Sequence, residues 1–171
     1  NIPFEEVMLH FDSLEPGSTF KRSAAQVTPS GRVPTLVLDD GTSVWDTIAI
    51  AETLAENHPD KPLWPQHPAS RARGRSIVAE MHSGFGGLRN TFPMNIEASL
   101  PEVGALHLSG NAQARADSAR IDAMWQDALQ TSGGPFLFGN YSIADAFYAP
   151  VVSRARTYAL PLSATSRSYA D

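Results

Sequence analysis

With 171 residues and a hydrophobic share of 42%, the chain is long enough for one large domain or two small ones with a real core. A formal charge of −5 argues against nucleic acid as the main partner, and no apolar run approaches the roughly 20 residues that span a bilayer. The absence of cysteine excludes a disulfide and a thiolate metal site, and agrees with a reducing, cytoplasmic compartment.

In chain order, IPFEEVMLHF (2–11) alternates enough to predict a strand, and STFKRSAAQVTPSG (18–31) a short helix and loop stopped by Pro29 and Gly31. TLVLD (35–39) and TSVWD (42–46) read as a hairpin. Asp40-Gly41 between them suits a type I′ turn, whose central residues both need positive φ. Thr47 opens a helix with Ile48, Ala51, Leu54 and Ala55 on one face. HPDKPLWPQHP (58–68) carries too many prolines for a helix and reads as a linker. Beyond it the pattern is helical. Ile77, Met81, Phe85 and Leu88 mark one stripe, on a helix expected from about Ala69 to just before Pro93. Ile121, Met124, Trp125, Ala128 and Leu129 mark another, ended by Gly133-Gly134-Pro135. Ser142 with Asp145 three residues on predicts a capping box, a fold determinant.

Two dipeptides bear on chemistry. Pro34 stands at the mouth of a strand, where X-Pro bonds are the ones that can be cis. A cis bond would turn the Val33 N–H and C=O outward to pair with an extended peptide as with another strand. A trans proline that merely starts an edge strand is the alternative. Asp46-Thr47 opens the next helix, where either residue can serve as a cap. Free N–H groups and the dipole also converge there on anions. A ligand with a carboxylate and an ammonium on one carbon can place the first on Thr47 and the second on Asp46.

Other residues carry less. The five histidines lack metal-ligand spacing, and Glu80 and His82 point to different helix faces. Arg71, Arg73 and Arg75 have no interleaved aromatics and read as a solvated face. Met81, Phe85 and Met94 can line a pocket for an apolar electrophile or pack in the core.

The blocks SGRVPTLV, DTIAIAETLAE, LWPQHPASRARGRSIVAEMHSGF and GPFLFGNYSIADAFYAPVVSR, in this order, resemble bacterial members of the cytosolic glutathione transferase family. The resemblance implies an α/β thioredoxin-like glutathione-binding domain over 1–57, incomplete here, a Pro-rich linker over 58–67 and an all-α domain over 68–171. It further implies cis Pro34, glutathione as co-substrate held by Val33, Pro34, Asp46 and Thr47, no metal, and a homodimer. The family's usual Glu-Ser or Gln-Ser pair is replaced here by Asp-Thr, with a shorter carboxylate. Resembling proteins also begin with a strand and helix ahead of the position of Asn1, in a sheet of order 2-1-3-4. Without that central strand, strands at Phe4–Phe11 and Thr35–Asp39 would lie two spacings apart, roughly 9.6 Å, too far to pair. The thiol-activating residue is therefore expected upstream of Asn1, with no catalytic residue within these 171, and a further C-terminal piece is expected because the chain stops inside a helix near SRSYAD (166–171).

Three functional readings follow. One is a transferase that conjugates the glutathione thiolate to a small apolar electrophile, or performs a related glutathione-dependent reduction. The second is a non-catalytic binding protein with this fold, and the third a stress-regulatory scaffold.

Overall fold

The structure, a computed structural model, describes residues 2–171 and divides into two compact units, Asn1–His58 and Pro59–Asp171.

In the first unit, residues 2–18 form neither helix nor strand. Helix α1 (Thr19–Ala24) follows, with Ser18 Oγ accepting from Lys21 N–H. Asp12 reaches forward to cap the same helix, accepting from the N–H groups of Thr19 at 2.8 Å and Phe20 at 3.0 Å. The Phe20 and Thr19 bonds hold the Asp12 carboxyl far below the usual carboxylate range. Strands β1 (Thr35–Val37) and β2 (Ser43–Trp45) pair antiparallel, Thr35 opposite Trp45, and helix α2 (Thr47–Asn57) runs on from β2. Phe20, Ala24 and Thr28 are buried, whereas α2 buries none of its residues fully.

Two expectations fail here. Residues 2–11 form no strand, and Phe4, Val7 and Met8 are 79%, 75% and 78% exposed. Alternation alone does not make a strand; a neighbour must take up its N–H and C=O groups. Among the described residues, the one sheet is the β1–β2 pair. The hairpin turn also differs from the type I′ expectation. Leu38 N–H bonds Thr42 O and Gly41 N–H bonds Leu38 O, leaving Asp39, Asp40 and Gly41 as the loop. Gly41 takes φ +84° and Asp40 does not share the left-handed region, which is the three-residue hairpin with a glycine bulge. Asp40 instead accepts from Thr42 N–H at 2.8 Å.

The second unit is helical: α3 (Pro68–Ser83), α4 (Gly86–Thr91), α5 (Pro101–Gly110), α6 (Ala112–Ser132), α7 (Ile143–Thr157) and α8 (Ala164–Ala170). Its core joins the two stripes. Ile77, Met81, Phe85 and Leu88 are buried with Ile121, Met124, Trp125 and Leu129. Tyr148 of α7 donates to the Ile77 carbonyl at 3.0 Å. The proline-rich approach to α3 is packed into this unit: Trp64 is 7% exposed, and the Leu63 carbonyl accepts from Ile143 N–H at 2.9 Å. The Ser142–Asp145 capping box is present, and Asp145 Oδ1 also accepts from Leu137 N–H at 3.0 Å.

The single helix expected up to Pro93 is broken. Gly84 ends α3, Phe85 turns through φ +57°, and α4 starts afresh. The new N-terminus is satisfied from outside: Asp117 of α6 accepts from Leu88 N–H at 2.9 Å while Gln113 holds its other oxygen. Gly87 permits the approach, since a Cβ there would lie within 2.8 Å of the Gln113 backbone carbon.

Candidate functional site

The β1–β2 ladder brings the two dipeptides together. Its last pair is Thr35–Trp45, so Val33-Pro34 and Asp46-Thr47 emerge side by side from one end of the hairpin. The Val33–Pro34 peptide bond is cis, as is Gly134–Pro135. Val33 is 53% exposed, on an edge with no strand of the described residues beyond it.

Asp46 is the N-cap of α2, and its Oδ1 accepts from Ile48 N–H at 2.9 Å. Its backbone sits at φ +75° and ψ 132°, outside the ordinary L-residue regions. Such a conformation is held at about 1 to 3 kcal/mol for a non-glycine residue, and these positions cluster where ligands are gripped. Thr47 follows as the first helical residue, half-buried. No signal in Trp45-Asp46-Thr47 requires the positive φ, so the strain has no signature in the sequence.

The approach to Val33 is equally constrained. Gly31, buried and at φ +57°, bonds its N–H to the Thr28 carbonyl at 3.2 Å across a turn with Pro29 at its second position. Lys21 Nζ donates to the Gly31 carbonyl at 3.0 Å, and Thr35 Oγ1 donates to the Arg32 carbonyl at 3.1 Å. Ser30 Oγ pairs with Thr28 Oγ1 at 3.0 Å.

The expected electrophile-pocket residues do not share one environment. Met81 and Phe85 are 9% and 7% exposed in the core of the helical unit, whereas Met94 is 56% exposed. Glu80 forms a two-point ion pair with Arg120, at 2.7 and 2.8 Å, and the Arg120 bonds draw its carboxyl down. Arg73 pairs with Asp127, and Arg75 lies over the Trp64 ring, 5.7 Å from its centroid. Among the described residues no group of three acidic or histidine side chains could hold a metal ion.

Residues 1–57 match the family model for the glutathione S-transferase N-terminal domain, and residues 68–169 that for the C-terminal domain. The chain belongs to the glutathione S-transferase family. Its two-stranded sheet and helical second unit are the small N-terminal sheet and helical domain of that family's fold. The chain is 29% identical over 163 residues to a probable maleylacetoacetate isomerase of Caenorhabditis elegans, covering 95% of this chain and 72% of that one. It is 31% identical over 148 residues to the maleylacetoacetate isomerase of Rattus norvegicus, covering 86% and 64%. Among solved structures, a glutathione transferase from Methylococcus capsulatus matches with a TM-score of 0.56 and 26% identity, over 85% of this chain and 68% of that chain. This glutathione S-transferase family member thus spans roughly two thirds of the length of those relatives.

Proposed function

We propose that the protein is a glutathione-dependent enzyme that presents the glutathione thiolate to a small apolar electrophile. The supporting observation is the hairpin end, where a displayed Val33 edge stands beside a strained Asp46 at a helix N-terminus. Val33 pairs by its backbone with the tripeptide. The first-turn N–H groups and hydroxyl of Thr47 receive the γ-glutamyl carboxylate, and Asp46 the ammonium. Residues 1–57 act as the glutathione-binding domain and 68–171 as the domain that bounds the electrophile. Within the latter, Met94 is the exposed member of the Met81, Phe85 and Met94 group and the one an apolar molecule can reach, with the other two packed as support.

Attack on a saturated or aromatic carbon that carries a leaving group forms the C–S bond as that group departs with its bonding pair, which gives conjugation. The isomerase names of the relatives favour a second course for an activated alkene. Sulfur adds to one alkene carbon, the former double bond rotates, and sulfur departs with glutathione restored. We read the enzyme as a homodimer working in the cytoplasm; sedimentation of a monomer at micromolar concentration corrects the first part.

Asp46→Asn is the deciding substitution, because asparagine caps a helix as well as aspartate but lacks the charge. Charge-assisted contacts contribute about 1.5 to 3 kcal/mol, so glutathione affinity is expected to fall about ten- to hundredfold with the melting temperature unchanged. Thr47→Ala is expected to weaken binding in the same direction. Calorimetry with unaltered affinity in both variants leaves Asp46 a cap and ends the proposal.

A further inference from the structure

A peptide that lends its N–H and C=O to a ligand must keep its plane fixed while the ligand is absent, or each binding event repeats the ordering. On the N-terminal side of Val33, two side chains do this holding. The Arg32 carbonyl, fixed by Thr35 Oγ1 at 3.1 Å, shares a planar peptide with the Val33 N–H. In a trans peptide these two groups point in opposite directions, so the bond to Thr35 aims the Val33 N–H away from β1. One peptide earlier, the Gly31 carbonyl is fixed by Lys21 Nζ at 3.0 Å, a charge-assisted bond from a half-buried ammonium on α1. The Lys21 stem runs alongside Gly31, whose absent Cβ would lie 3.8 Å from Lys21 Cδ.

We propose that Lys21 and Thr35 are positioning residues for the glutathione site, locking the two peptides that precede Val33 so that its backbone meets the tripeptide already oriented. The inference rests on the assignment of Val33 and Asp46 to glutathione made above. Neither side chain touches the ligand; both act through the backbone. A purely structural role for the same bonds would lower the melting temperature and leave glutathione recognition alone.

The test uses the intact protein, calorimetric titration with glutathione, and steady-state rates with an activated aryl halide. Lys21→Met removes the ammonium and keeps the stem; Thr35→Val removes the hydroxyl and keeps the strand-favouring shape. Each is expected to raise Kd and KM for glutathione about three- to tenfold, as the loss of one hydrogen bond's worth of preorganisation, with kcat at saturating glutathione unchanged. Lys21→Arg, which retains a donor, is expected to stay within about twofold of the parent. Asp46→Asn is measured in parallel. If it weakens binding while Lys21→Met and Thr35→Val, both folded, do not, the positioning role is overturned and the site stands. If none of the three weakens binding, the site assignment fails and the positioning role with it. Should Lys21→Met fail to fold, Thr35→Val decides alone.

Discussion

The Asp46 carboxylate caps α2 through Ile48 N–H while its own backbone holds a conformation that a non-glycine residue rarely adopts. In the proposed site this one side chain would serve helix and ligand, whereas the neighbouring hydroxyls are committed to contacts within the chain. Ser30 is paired with Thr28, and Thr35 with the Arg32 carbonyl. Thr47 stands at the γ-glutamyl end of the proposed site, remote from the sulfur. Ser30→Ala and Thr47→Ala are accordingly expected to lower kcat, at saturating glutathione in the intact protein, by less than about a hundredfold (roughly 2.7 kcal/mol), and Thr35→Val to leave it unchanged. A larger loss in any of them would assign the thiol-activating role to that residue. Sequence made Val33-Pro34 and Asp46-Thr47 legible because each has a local reason, an X-Pro bond and a helix start. The Asp46 strain was not legible because nothing in Trp45-Asp46-Thr47 demands a positive φ, and the Lys21 tether was not because it depends on where Gly31, ten residues on, comes to lie.

Helix boundaries in the second unit show where periodicity loses information. Ile77, Met81, Phe85 and Leu88 keep their spacing across the break at Gly84 and all reach the core, so the stripe reads as one helix. The break is stabilised by Asp117, twenty-nine residues from the Leu88 N–H it accepts. Asp117→Ala leaves that buried donor without its acceptor and is expected to destabilise the protein by about 1 to 3 kcal/mol, read as a lower midpoint in urea. Asp122 of α6 does a similar service for α8, accepting from the N–H and Oγ of Ser163 at 3.0 and 2.9 Å. Burial raises the Asp122 pKa, but the bonds from Ser166 and Ser163 outweigh it, and the net displacement is downward. A carboxylate depressed in the folded state stabilises fully above its unfolded value and loses that contribution as pH falls through its folded one. Protection factors of the α8 amides, taken relative to the intrinsic exchange rate at each pH, should thus be constant from neutrality down to the ordinary carboxylate range and fall below it. In Asp122→Asn this acid-dependent part should vanish; an unaltered acid limb assigns it to another group.

For the molecule as a whole, the two-unit plan was legible because proline density and helical periodicity change together near His58. The segment over 2–11 departs from its expected strand for the complementary reason, that a strand is a property of two segments and alternation describes one. Its exposed Phe4, Val7, Met8, Phe11 and Leu14 make this 171-residue chain the expected substrate for early cleavage. Limited proteolysis should cut first within 2–17 and spare the helical unit; first cuts within α6 or α7 would contradict the core described here. The proline-rich approach to α3 carries a different consequence. Because Leu63 is bonded to Ile143 and Trp64 is buried with the helices, residues 59–67 are inherited with the second unit and not with the first. Chimaeras that exchange halves between relatives should therefore be joined at His58–Pro59: a crossover placed at Pro68 would graft a foreign tryptophan and carbonyl onto a helix cap shaped for its own.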